Sequence, residues 1–249
     1  MLLGRNPSVH DARTLRMADY VRQLPASPPA RDWTQALPDD LGMMLNDQCG
    51  DCAYVAPAHL IQVYTGNRGV MQTPTDADVL SAYMAGTGYD PNKPETDGGA
   101  SMLDVAKGWR SSGLYGHHIG AFVRVDASDQ EEVRAAINLF GGVYLGARMP
   151  LRAKQQLDAG AGWSVPGPLT TTDAPDSWGG HAMACAQYDR QGPWLVTWGR
   201  RQRCTWQWWA NYVDEVYAVL SADWVDGSTP APSGLDVRGL QDALQRVAA

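Results

Sequence analysis

The sequence predicts an α+β fold, a helical first half followed by a strand-rich second half. Three observations carry this. Up to about Gly116, apolar residues recur at helical spacing between polar, glycine-broken turns; beyond it, short apolar runs bounded by turn residues take over. With 249 residues, 44% of them hydrophobic, the chain can bury a full core as one domain or two intimate lobes.

The elements follow in order. Residues 10–23 carry Leu15, Ala18 and Val21 at loosely helical spacing, which predicts a short amphipathic helix, and Leu24-Pro25-Ala26-Ser27-Pro28-Pro29 is a stiff connector. Residues 1–30 are therefore expected to form an extension that packs on the body. Residues 32–45 wrap across it and deliver the chain to a helix beginning at Cys52, with Pro57 an oddity that removes one helical N–H. Thr75 with Asp78 three residues on resembles a capping box and opens a helix through about Ala85. Residues 86–99 read as a loop. A helix at 101–111 has Met102, Val105, Ala106 and Trp109 on its core side. Then come a strand at 119–125, a helix at 129–140 capped by Gly141-Gly142, and strands at 143–149, 181–188, 194–198 and 215–221. Trp206, Trp208, Trp209 and Tyr212 follow a possible cap at Thr205 and read as core packing rather than a sugar platform. Beyond Asp226 a Gly/Ser/Thr/Pro linker leads to an amphipathic helix at 235–247. The expected divisions are an extension at 1–30, a helical lobe at 31–118, a β-rich lobe at 119–225, and the linker with its helix at 226–249.

The chemistry concentrates in residues 46–64. A polar turn, Asn46-Asp47-Gln48-Cys49-Gly50-Asp51, runs into an apolar segment with Val55, His59 and Val63 at helical spacing, which places Cys52 at a helix start. Unpaired amides and the positive end of the helix dipole favour a thiolate there, so Cys52 is the candidate nucleophile. His59 lies seven positions further, about 10 Å along the axis at roughly 1.5 Å per residue, too far to be its base. It reads as a hydrogen-bonded core histidine. Asp51 would oppose thiolate formation if it pointed inward and would satisfy backbone amides at the N-cap; the N-cap is the expectation.

Cys49-Gly50-Asp51-Cys52-Ala53 resembles the nucleophile signature of papain-like cysteine peptidases, whose histidine lies about 130–150 residues downstream. His181 stands 129 positions (181 − 52) beyond Cys52, in a stretch that resembles the family's histidine strand. Asp32-Trp33, Tyr64-Thr65-Gly66-Asn67, the pair Gly98-Gly99 and Thr197-Trp198-Gly199 match further family segments in order, covering roughly residues 30–222. The resemblance implies a two-lobed fold, a helical lobe followed by an antiparallel barrel-like lobe, with the active site between them. It also implies acyl transfer from a peptide or amide through a Cys52 thioester, with His181 as acid and base. Gly98 and Gly99 would line the substrate cleft, although a plain turn fits them equally. Trp198 would shield the histidine's hydrogen bond. The family's oxyanion glutamine aligns with Asn46, one methylene shorter, or with Gln48 if the loop is tighter by two residues. Its histidine-orienting asparagine aligns with Val196, which accepts no hydrogen bond. Thr197, through a one-residue bulge, and Asp176 are the alternatives.

A net charge of −7 gives no basic footprint for nucleic acid, and Arg200-Arg201-Gln202-Arg203 reads as a solvated loop. The first residues lack a signal peptide's apolar core, and no apolar run of about 18 residues suggests a membrane span. A cytoplasmic or virion-associated protein is expected. Four cysteines are too few for a disulfide scaffold, and Cys49 lacks the partner the family places near its glycine pair. No cofactor or metal is implied. Two rivals to the hydrolase stand beside it. One is a papain-like body kept as a structural or interaction module in an assembly, a phage virion or tail component included. The other is redox or metal binding through Cys49 and Cys52. His117-His118 reads as a polar turn.

Overall fold

The computed structural model describes residues 1–20, 26–225 and 231–234. The helix expected at 235–247, most of the linker before it and part of the 24–29 connector lie outside the described residues.

Helices and strands divide along the chain as expected. The first half holds α1 (Met17–Tyr20), the short β1 (Arg31–Asp32), α2 (Cys52–Gly66), α3 (Asp76–Thr87) and α4 (Met102–Ser112). The second holds β2 (Ile119–Arg124), α5 (Gln130–Phe140), β3 (Val143–Met149), α6 (Leu151–Asp158), β4 (Gly179–Tyr188), β5 (Pro193–Thr197), β6 (Arg200–Arg203), α7 (Trp206–Tyr212) and β7 (Val213–Ser221). The strands form one antiparallel sheet in the order β2-β7-β3-β4-β5-β6, with β1 paired to β4. The result is an α+β architecture.

Helix α2 is the centre of the core, packed against β3, β4 and β5, and every residue from Cys52 to Thr65 is buried. A helix enclosed on all sides has no wet face to repair a broken hydrogen bond. Pro57 breaks one, because it offers no N–H to the carbonyl of Ala53 four residues earlier. The hydroxyl of Tyr144, on β3, donates to that carbonyl at 2.7 Å, and Tyr115 donates to the carbonyl of Tyr54 at 2.9 Å. His59 is the expected core histidine. Its Nδ1 lies 2.8 Å from Gln62 Oε1, while the Gln62 amide donates to the carbonyl of Leu41 and ties α2 to the wrapping segment.

Local caps explain the other helices. Thr75 and Asp78 form the reciprocal capping box, Asp129 accepts from the amides of Glu131 and Glu132, and Thr205 accepts from the amide of Trp208. Gly141 ends α5 at φ +77°. The Trp206–Tyr212 aromatics are core as expected: Trp208, Trp209 and Tyr212 are buried, and Trp208 stacks on Trp163 at 4.8 Å.

Two expectations are corrected. The helix expected over 10–23 begins only at Met17, because Leu15 gives its carbonyl to the amide of Arg124 and so takes up a hydrogen bond at the end of β2; residues 21–23 lie outside the described residues. The Arg200–Arg203 stretch is strand β6 rather than a solvated loop. Trp198 at φ +47° and Gly199 at φ +70° turn the chain back along β5, and Arg201 is held by the carbonyls of Thr34 and Leu37. Its arginines hid a strand whose Gln202 is buried.

Candidate active site

Cys52 opens α2, where the carbonyl of Asp51 takes the amides of Tyr54 and Val55 and those of Cys52 and Ala53, at the helix mouth, have no intrahelical acceptor. Its sulfur accepts from the amide of Ala182 at 3.4 Å, so the residue next to His181 touches the nucleophile candidate across 130 positions of chain. Cys52 is fully buried and its thiol is pushed up to about 11, by burial first; the amides of Ala182 and Gly4 pull the other way.

The loop before it separates the two oxyanion candidates. Gln48 is exposed on the turn, whereas Asn46 is buried and donates through Nδ2 to Asp51 Oδ1 at 3.0 Å. Asp51 departs from its expected role: its side chain caps no helical amide but points inward against Asn46, fully buried, and burial raises its carboxyl to about 7. A carboxyl that can be neutral near pH 7 opposes a neighbouring thiolate less than a fixed charge would.

His181 sits on β4, whose residues from His181 to Ala186 are all buried. Its Nε2 lies 2.6 Å from Thr197 Oγ1, so the partner of the imidazole is Thr197 and not Asp176, which is exposed. Val196 pairs with Ala184 in the sheet, and the next residue, at the end of β5, brings its hydroxyl to the ring. Trp198 stacks on His181 with ring centres 4.3 Å apart and planes 12° from parallel. Trp163 meets Trp198 edge-on and stacks on Trp208, so the ring behind the histidine is backed by core. His181 Nδ1 is buried without a hydrogen-bond partner, and burial, then the charge of Arg5, lowers the imidazole to about 3.

The N-terminal segment enters this site, which the sequence did not reveal. Arg5 donates its amide to the carbonyl of Gly180 at 3.1 Å, Asn6 donates to Ala100 at 3.0 Å, and Ala100 donates back to Gly4 at 2.8 Å. The segment thus bonds to both walls of a groove. Gly99, at φ +66°, has the Gly4 carbonyl 2.1 Å from where a Cβ would stand, and a Cβ on Gly4 would meet the Gly50 carbonyl at 1.8 Å. Close backbone approach is therefore real at Gly99, while nothing crowds Gly98. Rather than merely packing on the body, residues 4–6 lie along the groove beside Cys52.

All four cysteines are free and buried, and among the described residues no group of three or more His, Cys, Asp or Glu side chains gathers as metal ligands would. His117 faces Asp223 at 2.9 Å. No described helix is long and apolar enough to cross a membrane.

Neither a family model nor a curated protein matches the sequence. Solved structures do match the fold. Xylellain, a cysteine protease from Xylella fastidiosa, superposes with a TM-score of 0.64 at 16% identity over 87% of this chain and 95% of its own. Procathepsin B from Trypanosoma congolense gives 0.55 at 13% identity over 88% and 86%. The Carica candamarcensis cysteine protease CMS1MS2, solved with E-64, gives 0.53 at 15% identity over 77% and 98%. At such identities the likeness speaks for architecture, and it agrees with the resemblance first met in the Cys52 and His181 segments: this chain has the fold of the papain-like cysteine proteases.

Proposed function

We propose that the chain is a cysteine hydrolase of peptide or amide bonds. The observation that supports this best is the His181 ring itself, fixed by Thr197 on one nitrogen and by Trp198 across its face, with its other nitrogen unengaged and its neighbour's amide on the Cys52 sulfur. With Nε2 protonated and donating to Thr197, Nδ1 carries the lone pair a general base needs. The Cys52 thiol gives its proton to Nδ1 as sulfur bonds to the carbonyl carbon. The oxyanion takes a hydrogen bond from Asn46, whose amide keeps a second N–H beyond the one on Asp51, and from the Cys52 amide at the start of α2. The imidazolium then protonates the departing amine as the C–N bond breaks. Water, deprotonated by the same nitrogen, releases the acid from the thioester.

A second reading, a papain-fold interaction module without catalysis, draws on the resting site: thiol raised to about 11 and imidazole lowered to about 3, a neutral pair beneath a filled groove. Labelling with an epoxysuccinyl inhibitor, followed by peptide mapping, separates the two. The hydrolase reading expects one modification, on Cys52, lost in His181→Ala; uniform slow labelling of the four thiols favours the module.

A further inference from the structure

Asp51 is a buried acid whose titratable neighbours are acids too. Its side chain is fully enclosed, Oδ1 accepts from Asn46 Nδ2 at 3.0 Å, and Oδ2 is buried without a hydrogen-bond partner among the described residues. The groups that share its surroundings are Cys49 of the same turn, Asp97 from the loop before α4, Cys52 at the mouth of α2, and the phenols of Tyr89 and Tyr115. A carboxyl placed among acids and away from water works against folding rather than for it.

The neighbour it holds supplies a different reason. The backbone of the turn is set from elsewhere: the amides of Asn46, Gln48 and Cys49 donate to the carbonyls of Met43 and Leu45, and the Gly50 amide donates to Asp97 Oδ2 at 2.9 Å, with the Tyr83 hydroxyl donating to the other oxygen of Asp97. The carbonyl of Asp51 takes the amides of Tyr54 and Val55, so its side chain starts from a fixed point one residue from the Cys52 sulfur. A carboxamide carries two N–H groups in one plane, and binding one of them to Asp51 sets where the other points. An ionised carboxylate only accepts, so it fixes the Asn46 amide with its nitrogen toward Asp51. A protonated carboxyl also donates and would hold the amide either way round.

We propose that Asp51 is a positioning residue of the oxyanion site, holding the Asn46 amide so that its second N–H meets the carbonyl oxygen of a substrate under attack by Cys52. The proposal rests on the hydrolase reading for that role; the hold on Asn46 can be measured without turnover. Burial raises the carboxyl to about 7, so the hold becomes specific as pH rises through neutrality. The same ionisation opposes the Cys52 thiolate, so Asp51 acts on the donor and on the nucleophile in opposite senses.

The test uses the full-length chain. By NMR, the side-chain amide signals of Asn46, assigned by their loss in Asn46→Ala, are expected to move with pH about a midpoint near 7, and the movement to vanish in Asp51→Asn, which keeps the side chain's volume. On the Arg5→Ala background, Asp51→Ala is expected to lower kcat for a peptidyl coumarin amide by about tenfold or more with KM within about twofold, and to cause no further fall where Asn46→Ala is already present. Alkylation of Cys52 by iodoacetamide develops no oxyanion and is expected to be as fast or faster in Asp51→Ala. Additive losses of kcat in the two alanine variants, or hydrolysis and alkylation falling together, overturn the positioning role. So does an Asn46 signal that ignores pH or titrates unchanged in Asp51→Asn, a measurement that stands even if Asp51→Ala fails to fold. A titrating Asn46 signal in a chain that hydrolyses nothing removes the hydrolase reading, and the oxyanion role with it, while establishing the hold itself.

Discussion

Replacing Thr197 by valine keeps the shape of the side chain and removes the oxygen that His181 Nε2 meets at 2.6 Å. The site is closed to water, with Thr197 2% exposed and His181 fully buried, so the lost partner is not replaced from solvent. Two consequences can be sized. A buried N–H left unpaired costs about 1–3 kcal/mol, so Thr197→Val should lower unfolding free energy by that amount in urea. On the hydrolase reading the ring is positively charged as the amine departs, and a hydrogen bond to a charged group contributes about 1.5–3 kcal/mol, which predicts a fall in kcat/KM of about 10- to 150-fold. Trp198 cannot compensate, because a stacked indole fixes the plane of the imidazole and leaves its rotation within that plane free.

The assay is hydrolysis of a peptidyl coumarin amide on the Arg5→Ala background, where the groove is not held by its own arginine, with Thr197→Ser as the control that restores an oxygen. Serine should keep the rate within about threefold of threonine, since one hydroxyl at the same place supplies the same bond. A folded Thr197→Val variant retaining kcat/KM within twofold would refute the assignment of Thr197 as the group that positions His181.

Three further outcomes are expected. Burial lowers His181 to about 3 and His59 to about 4, so below pH 6.5 the unfolded chain binds protons that the folded one does not. Their contribution is complete above pH 6.5 and is lost as pH falls, by up to about 1.4 kcal/mol per pH unit for each histidine; Asp51, raised to about 7, works in the opposite sense above pH 4. Urea titrations between pH 7 and 4.5 should show His59→Gln reducing the slope of stability against pH by about one proton, and an unchanged slope would contradict the burial argument. Gly99→Ala places a methyl against the Gly4 carbonyl at a left-handed backbone position, so it should loosen residues 4–6 and speed the reaction of Cys52 with a small disulfide reagent; equal rates would mean the segment does not screen the sulfur. Trp163→Ala opens a cavity between Trp198 and Trp208 and should cost about 3–5 kcal/mol in chemical denaturation. A loss under 1 kcal/mol would show that the stack behind the histidine is not part of the core.

What the sequence made legible were features whose cause is local. The start of α2 follows from a polar turn meeting an apolar run, the caps of α3 and α7 from hydroxyls at fixed offsets, and the α+β division from a change of period near Gly116. Thr197 is an alternative partner for His181 in the sequence because Val196 has no acceptor, but only the register Ala184↔Val196 and the turn at Trp198-Gly199 bring its hydroxyl to the ring. Asp51 is not placed by its sequence position, because a carboxylate before a helix serves equally as a cap or as a buried acid. The choice was made by Asn46, whose amide faces inward. The partner of Pro57's orphaned carbonyl, Tyr144, and the partner of Arg5, Glu215, lie 91 and 210 residues away from the groups they serve, and no local pattern encodes a contact at that range.

Arg5 also bears on the protonation of the site. Burial is the largest cause of both the raised thiol and the lowered imidazole, and the Arg5 charge adds to the lowering of His181 while acting on Cys52 in the direction of thiolate. In the closed chain the burial contribution dominates, so the proton stays on sulfur and the pair is neutral. Lifting residues 4–6 would admit water to both groups, which lowers the thiol and raises the imidazole and so favours His181 taking the proton; withdrawing the Arg5 charge raises both groups and largely cancels between them. Vacating the groove therefore alters the chemistry of Cys52 as well as its accessibility. A thiol-reactivity profile for Arg5→Ala with its midpoint shifted to lower pH than the parent chain is the expected signature, and an increase in rate at every pH without such a shift would show that residues 4–6 act by steric cover alone.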